Sequence, residues 1–347
     1  MTTHAVTNTA DPSLRTVRLT AGGLCIFGTV VLLWGFLRFL LVFPGPAVLA
    51  VILELPLLFV GVWVFRLLRP VQAPPLIWSY AALIWGATAA AGCALLANQG
   101  LIALWAKSVG VKFAATWAAS LSAPLNEEIL KVCGVVMVVL AAPSVIKGPL
   151  DGMVFGAITG LGFQVIENIT YGLNNIVQTG GTDPSRAVIN SVLLRVGTTG
   201  IGSHWTMTAV AGAGIGFLVS RERRRDGVVL AVACLLTAMA MHLLFDAPYR
   251  ELPVKVLVNF LIVGVLYLVL RESYLANTRV VLAECVASGV VSTPESSCLV
   301  SRRVRRRALR QAHPGPEREV LPLRQQHVLA MIEVEVAQRE RLERFLG

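Results

Sequence analysis

Between residues 21 and 272 the chain returns repeatedly to apolar runs of about 20 residues, the length at which an α-helix crosses ~30 Å of hydrocarbon. Nothing else in the sequence restricts the fold as strongly, because a span without water must satisfy every backbone N–H and C=O within itself. Charged residues make up only 14% of the 347 positions, against about 25% in soluble domains. The mean hydropathy is +0.70. These features predict an all-α, polytopic membrane helical bundle of about eight transmembrane helices, with a cytoplasmic C-terminal tail. The first run has no small-residue cleavage pattern behind it and reads as a retained helix rather than a signal peptide.

The predicted spans cover about 21–42, 47–68, 76–98, 124–142, 149–171, a glycine-interrupted sixth ending at 220, then 227–247 and 252–270. Pro124 fits the first turn of the fourth, where its missing N–H costs nothing. Residues 99–122 read as an interfacial helix or a bent lead-in. The basic residues concentrate in turns and in the tail. Arg66 and Arg69, and the loop with Arg221, Arg223, Arg224 and Arg225, mark cytoplasmic ends. The resulting topology is a multi-pass protein of the cell membrane with both termini cytoplasmic. It has a 1–20 cytoplasmic segment, a 21–272 membrane domain and a 273–347 basic tail, partly disordered, with a helix near 323–346.

Glycines at 152, 156 and 160, and at 212, 214 and 216, suit close helix packing rather than a nucleotide loop. The six cysteines show no metal or disulfide spacing. The arginine block at 302–307 reads as a segment near anionic lipid, with no nucleic-acid partner expected.

Against this apolar background the ionisable residues are the anomaly, since each costs at least a few kcal/mol inside a membrane. Glu127, Glu128 and Lys131 fall within five residues, Glu167 stands beside Asn168, His204 stands alone, and His242 precedes Asp246 by four. Alternating topology puts all of them in the outer half of four different spans. Glu128 and Lys131, three apart, share a helix face, as do His242 and Asp246. Imidazole and carboxylate are ligands for a zinc-like ion, and two histidines with one carboxylate leave a position open for water. A further glutamate nearby can take that water's proton. Glu54, a lone carboxylate in the second span, reads as a group hydrogen-bonded inside the bundle.

The ordered set Glu127-Glu128-x-x-Lys131, Phe163-x-x-x-Glu167-Asn168, His204 and His242-x-x-x-Asp246 resembles the motifs of the PrsW family of intramembrane proteases, over roughly residues 120–250. The wider group includes prenyl-protein (CAAX) endopeptidases. That branch usually has an Arg after the glutamate pair and a His at the place of Glu167, and neither occurs here. The resemblance implies hydrolysis of a membrane-anchored protein, in the best-known branch the site-1 cleavage of an anti-sigma factor. It implies Glu127 and Glu128 as water-activating residues, with Glu127 the favoured base. Glu167, His204, His242 and Asp246 would hold a divalent metal, zinc by the donor types, or position water without one. Lys131 and Asn168 would support them, Lys131 by neutralising part of the carboxylate cluster.

A proton-coupled transporter and a non-catalytic membrane sensor or scaffold are the rival readings. The polar groups gather near one face instead of lining a path, and no paired half-helices or internal repeat are visible, which counts against transport.

Overall fold

The computed structural model describes residues 12–220, 224–249, 251–311 and 316–342, and among them it contains helices and no strand. In chain order these are α1 (Pro12–Val42), α2 (Pro44–Leu68), α3 (Leu76–Trp85), α4 (Ala91–Ser108), α5 (Val111–Ala141), α6 (Pro149–Gln178) and α7 (Pro184–Leu194). There follow α8 (His204–Ser220), α9 (Arg224–Asp246), α10 (Leu252–Ala287), α11 (Thr293–Leu299), α12 (Arg302–Gln311) and α13 (Pro316–Leu342). π-helical turns at Gly86–Ala90 and Arg195–Thr199 join α3 to α4 and extend α7.

Among the described residues six helical units are long and apolar enough to cross a membrane: α1, α2, α3 with α4, α6, α9 and α10. The chain is therefore a polytopic helical membrane protein. The other two expected spans correspond to α5 and α8. Glu127, Glu128 and Lys131 break the apolar character of α5, and α8 has only 17 residues. Both pack within the bundle.

The fourth expected span begins earlier than the sequence suggests. Pro124 lies inside α5, not in its first turn. The irregular lead-in expected at 99–122 is helical on both sides of a sharp break at Gly110, whose φ of 112° suits glycine. Glu127, Glu128 and Lys131 thus sit in mid-helix.

The buried axis is α6, in which every residue from 149 to 165 is buried. Its glycines permit this. A Cβ on Gly152 would stand 2.1 Å from the Gly212 carbonyl oxygen, and one on Gly156 2.2 Å from that of Thr208, so α6 and α8 meet backbone to backbone. The π-helical turn after α3 crosses α6 equally closely: a Cβ on Gly86 would fall 1.9 Å from the Thr159 carbonyl oxygen. Trp85, just before that turn, donates its indole N–H to the Leu130 carbonyl at 2.9 Å and ties α3 to α5.

In the tail the arginine block forms α12. Arg302 donates to the carbonyls of Arg66 and Arg69, and Arg305 to those of Val71 and Leu299, so the guanidinium groups satisfy carbonyls left over at the C-terminal ends of α2 and α11. The expected 323–346 helix starts earlier, at Pro316, and is described to Leu342. Its Glu333 lies 3.1 Å from Arg69 and 3.2 Å from Lys147, while Arg69 also meets Asp151 at 2.5 Å.

Candidate active site

Lys131 is fully buried, the one lysine among the largest fully buried side chains of the described residues, and its surroundings define the site. A buried ammonium is tolerable only where anions and hydrogen-bond acceptors replace water. Its Nζ lies 2.5 Å from Glu128 Oε1, 3.6 Å from Glu127 Oε2 and 3.1 Å from His204 Nδ1. The Phe163 ring of α6 closes the remaining side, 4.4 Å from the ammonium. The i,i+3 and i,i+4 spacing on α5 turns both carboxylates toward this one cation.

The two imidazoles are each fixed by a carboxylate. His242, on α9, approaches Glu128 Oε1 through Nδ1 at 2.9 Å, and the second oxygen of Glu128 accepts from the Thr208 hydroxyl at 3.2 Å. With Nδ1–H donating to Glu128, Nε2 carries the lone pair; it faces Glu127 Oε2 at 3.8 Å and Asp246 Oδ2 at 3.4 Å. His204, the first residue of α8, pairs through Nε2 with Glu167. Lys131 Nζ lies 3.1 Å from its Nδ1, which also lies 3.9 Å from Glu127 Oε2 and becomes a free ligand atom only when the ammonium turns wholly to the carboxylates. The two rings stand edge to face with centroids 5.0 Å apart. Carboxylate–histidine pairs of this kind set the tautomer and aim the other nitrogen at a metal.

Glu127 lies between them. Its Oε1 accepts from Asn98 Nδ2 at 2.8 Å, and Asn98 in turn accepts from Asn126 at 2.7 Å. Its Oε2 is buried and accepts no hydrogen bond. One atom each from Glu127, His204 and His242 lie within 4.8 Å of one another. Donor atoms about 2.0–2.2 Å from a tetrahedral metal lie roughly 3.3–3.6 Å apart; Glu127 Oε2 lies 3.8 and 3.9 Å from the two imidazole nitrogens and all three atoms within 4.8 Å, so closing on a metal draws the ligands together. With both imidazoles neutral, as metal ligation requires, the ionised carboxylates of Glu127, Glu128, Glu167 and Asp246 outnumber the two fixed cations, Lys131 and Arg195. A dication fits both the orphaned oxygen and this imbalance.

All eight residues singled out from the sequence lie in one connected network. Asn168 turns away from the histidines: its Oδ1 accepts from Arg195 Nε at 2.7 Å and its amide donates to Glu54 at 3.3 Å. Glu54 is buried and hydrogen-bonded inside the bundle, as its isolation in an apolar span predicts. The sequence reading missed three contributors. Arg195 pairs with Glu167 at 2.6 Å and stacks on Tyr171, Asn98 supports Glu127, and Thr208 supports Glu128. Arg195 left a trace, as a lone cation within the irregular segment leading to His204. Asn98 and Thr208 left none, because single polar residues of helical segments are common.

A helical membrane bundle with two imidazoles and a carboxylate converging in its interior defines a membrane-embedded protein equipped to hold a divalent cation. The family profile described as PrsW family intramembrane metalloprotease matches residues 74–271, more than half of the chain. The chain belongs to this family and is an intramembrane protease. The matched segment contains every residue of the network except Glu54. Searches of curated proteins and of solved structures returned no match.

Proposed function

We propose that Glu127, His204 and His242 hold a zinc ion and that the enzyme cleaves a membrane-anchored protein by attack of water on a peptide carbonyl. The observation that carries this reading is the buried Oε2 of Glu127, which accepts no hydrogen bond and faces a nitrogen of each imidazole. A divalent metal bound there supplies Lewis acidity, polarising the scissile carbonyl and easing proton loss from water. Glu128 and Glu167 hold the rings, and Lys131 keeps Glu128 charged and in place.

This division of labour differs from the sequence expectation, in which Glu127 and Glu128 activate water while Glu167 and Asp246 are ligands. Both oxygens of Glu128 are engaged, and Glu167 is bound by Arg195 and His204. Asp246, with its side chain 24% exposed, is the carboxylate beside His242 that water can reach. In our reading it takes the proton from the attacking water and passes it to the amine leaving group.

The substrate is a single-span protein, an anti-sigma factor cut at its first site being the expectation carried by the family resemblance. Arg66, Arg69, Lys147, Arg302 and Arg305 gather at one end of the bundle, which supports a cytoplasmic assignment for that end and an outer-half location for the site.

The test is reconstitution of the purified protein with candidate single-span substrates, measuring cleavage and bound metal together. Glu127→Gln, His204→Ala and His242→Ala are expected to lose both. Asp246→Asn is expected to keep the metal and lose cleavage. Unchanged cleavage in Glu127→Gln and His242→Ala would overturn the site, and cleavage that survives complete chelation would overturn the role of the metal.

A further inference from the structure

The arginine helix α12 lies outside the family match, and its position is unusual for a polybasic segment. It is fastened to the end of a membrane span. Arg302 Nη2 reaches the Arg66 carbonyl at 3.2 Å and also that of Arg69, while Arg305 is buried against the Val71 carbonyl. These bonds place α12 beside the last turn of α2. On the same end of α2, Phe59, Val60, Trp63 and Leu67 form an exposed apolar face, with Trp63 63% exposed. In a membrane span an uncovered face of this kind meets hydrocarbon, so α12 stands where hydrocarbon gives way to lipid headgroups.

Between the two helices runs a groove. One cavity of about 590 Å³ is lined by Leu67 together with Arg302, Arg303, Arg306, Arg307 and Arg310. A second, of about 400 Å³, brings Trp63, Arg66 and Gln72 to Arg302 and Arg306. Its wall is thus cationic on one side and apolar on the other. Among the described residues none of these five α12 arginines forms an ion pair with a carboxylate. The Nε of Arg302 is buried and without a hydrogen-bond partner. Burial, with Arg305 and Arg69 nearby, pushes the Arg302 guanidinium down to about 10, so it remains charged at neutral pH in a pocket short of anions.

We propose that the groove between the C-terminal end of α2 and α12 binds an anionic phospholipid, its phosphate among Arg302, Arg303, Arg306, Arg307 and Arg310 and its acyl chains on the Trp63–Leu67 face. The combination selects a lipid. A soluble phosphate or a nucleic acid would use the arginines and leave the apolar wall without a partner, whereas a phospholipid matches both. Guanidinium groups suit the headgroup because their paired N–H donors fit phosphate oxygens. The site is independent of the catalytic assignment.

The experiment uses the full-length protein, purified in detergent, equilibrated with equal amounts of phosphatidylglycerol and phosphatidylcholine, and examined by native mass spectrometry for retained lipid. Phosphatidylglycerol is expected to be retained about tenfold or more over phosphatidylcholine, since each arginine near an anionic headgroup favours it severalfold. Replacing Arg303, Arg306, Arg307 and Arg310 with Gln is expected to abolish that preference; these side chains are exposed, and the anchoring Arg302 and Arg305 are kept. As a second measurement, raising salt from about 0.1 M to 1 M should weaken the preference in the wild type, because screening shortens from about 10 Å to 3 Å. Equal retention of the two lipids would overturn the proposal, as would a preference unchanged in the fourfold variant or by salt. So would a single-stranded RNA oligonucleotide that displaces the retained phosphatidylglycerol.

Discussion

Two clusters of buried charge hang on α6, about 24 Å apart by helical rise from Asp151 to Glu167, and they are built on opposite principles. At the first, Arg69 and Lys147 meet Asp151 and Glu333, with two cations matched to two carboxylates. This cluster joins α6 to the tail helix α13 and to the loop after α2. At the second, the carboxylates of Glu127, Glu128, Glu167 and Asp246 outnumber Lys131 and Arg195, and one buried oxygen of Glu127 is left without a hydrogen bond. A balanced buried network fixes a structure. An unbalanced one holds capacity for a further cation or a proton, at the expense of stability, which is the usual character of a functional site.

The comparison can be broken most directly at Glu127 and His242. Glu127→Gln and His242→Ala should bring cleavage to background and remove bound metal. For Glu127→Gln the thermal unfolding midpoint of the metal-free protein in detergent should be unchanged or higher, because an excess anion has been neutralised. A large drop in that midpoint would make the second cluster structural like the first.

Arg69→Ala should do the reverse. It leaves Asp151 and Glu333 buried with less compensation and is expected to destabilise the fold by about 3–5 kcal/mol, read by denaturation. Cleavage per folded molecule should stay close to wild type. Glu128→Gln and Glu167→Gln alter the groups that hold the imidazoles, and a loss of about 10–100-fold in metal affinity or turnover is expected from each, measured by competition with a chelating dye and by substrate cleavage.

The smallest effect is expected at Glu54. It touches the site only through Asn168 and Arg195, so Glu54→Ala should lower kcat about two- to tenfold, the worth of one hydrogen bond, with KM unchanged. A KM effect of similar size would argue that α2 contacts substrate.

Much of this was legible in the residues, for identifiable reasons. Apolar runs cannot be anything but spans, and the stiff requirement for internal hydrogen bonding makes them helices. The glycine-interrupted sixth span expected to end at 220 contains a helix that runs from His204 to Ser220. Ionisable residues inside apolar runs are rare enough to mark the network, and helical spacing put Glu128 with Lys131, and His242 with Asp246, on common faces. The helix limits around 98–124 were not legible, because Pro124 reads as a start although a helix can continue through proline. The order of α12 was also hidden: its arginines look like a solvated tail until the carbonyls at the end of α2 are seen to need donors.

The sequence by itself determined that the chain is a membrane bundle and singled out part of its buried polar cluster, without Arg195, Asn98 and Thr208, since hydrophobicity and residue type are properties of the chain alone. Only the tertiary structure decided which atom of each side chain faces which. That depends on the rotation and depth of α5, α6, α8 and α9 against one another, set by backbone contacts at Gly152, Gly156 and Gly86. Those contacts leave Glu128 fully bonded and its neighbour Glu127 with an oxygen to spare, a distinction that two adjacent glutamates in a sequence do not carry.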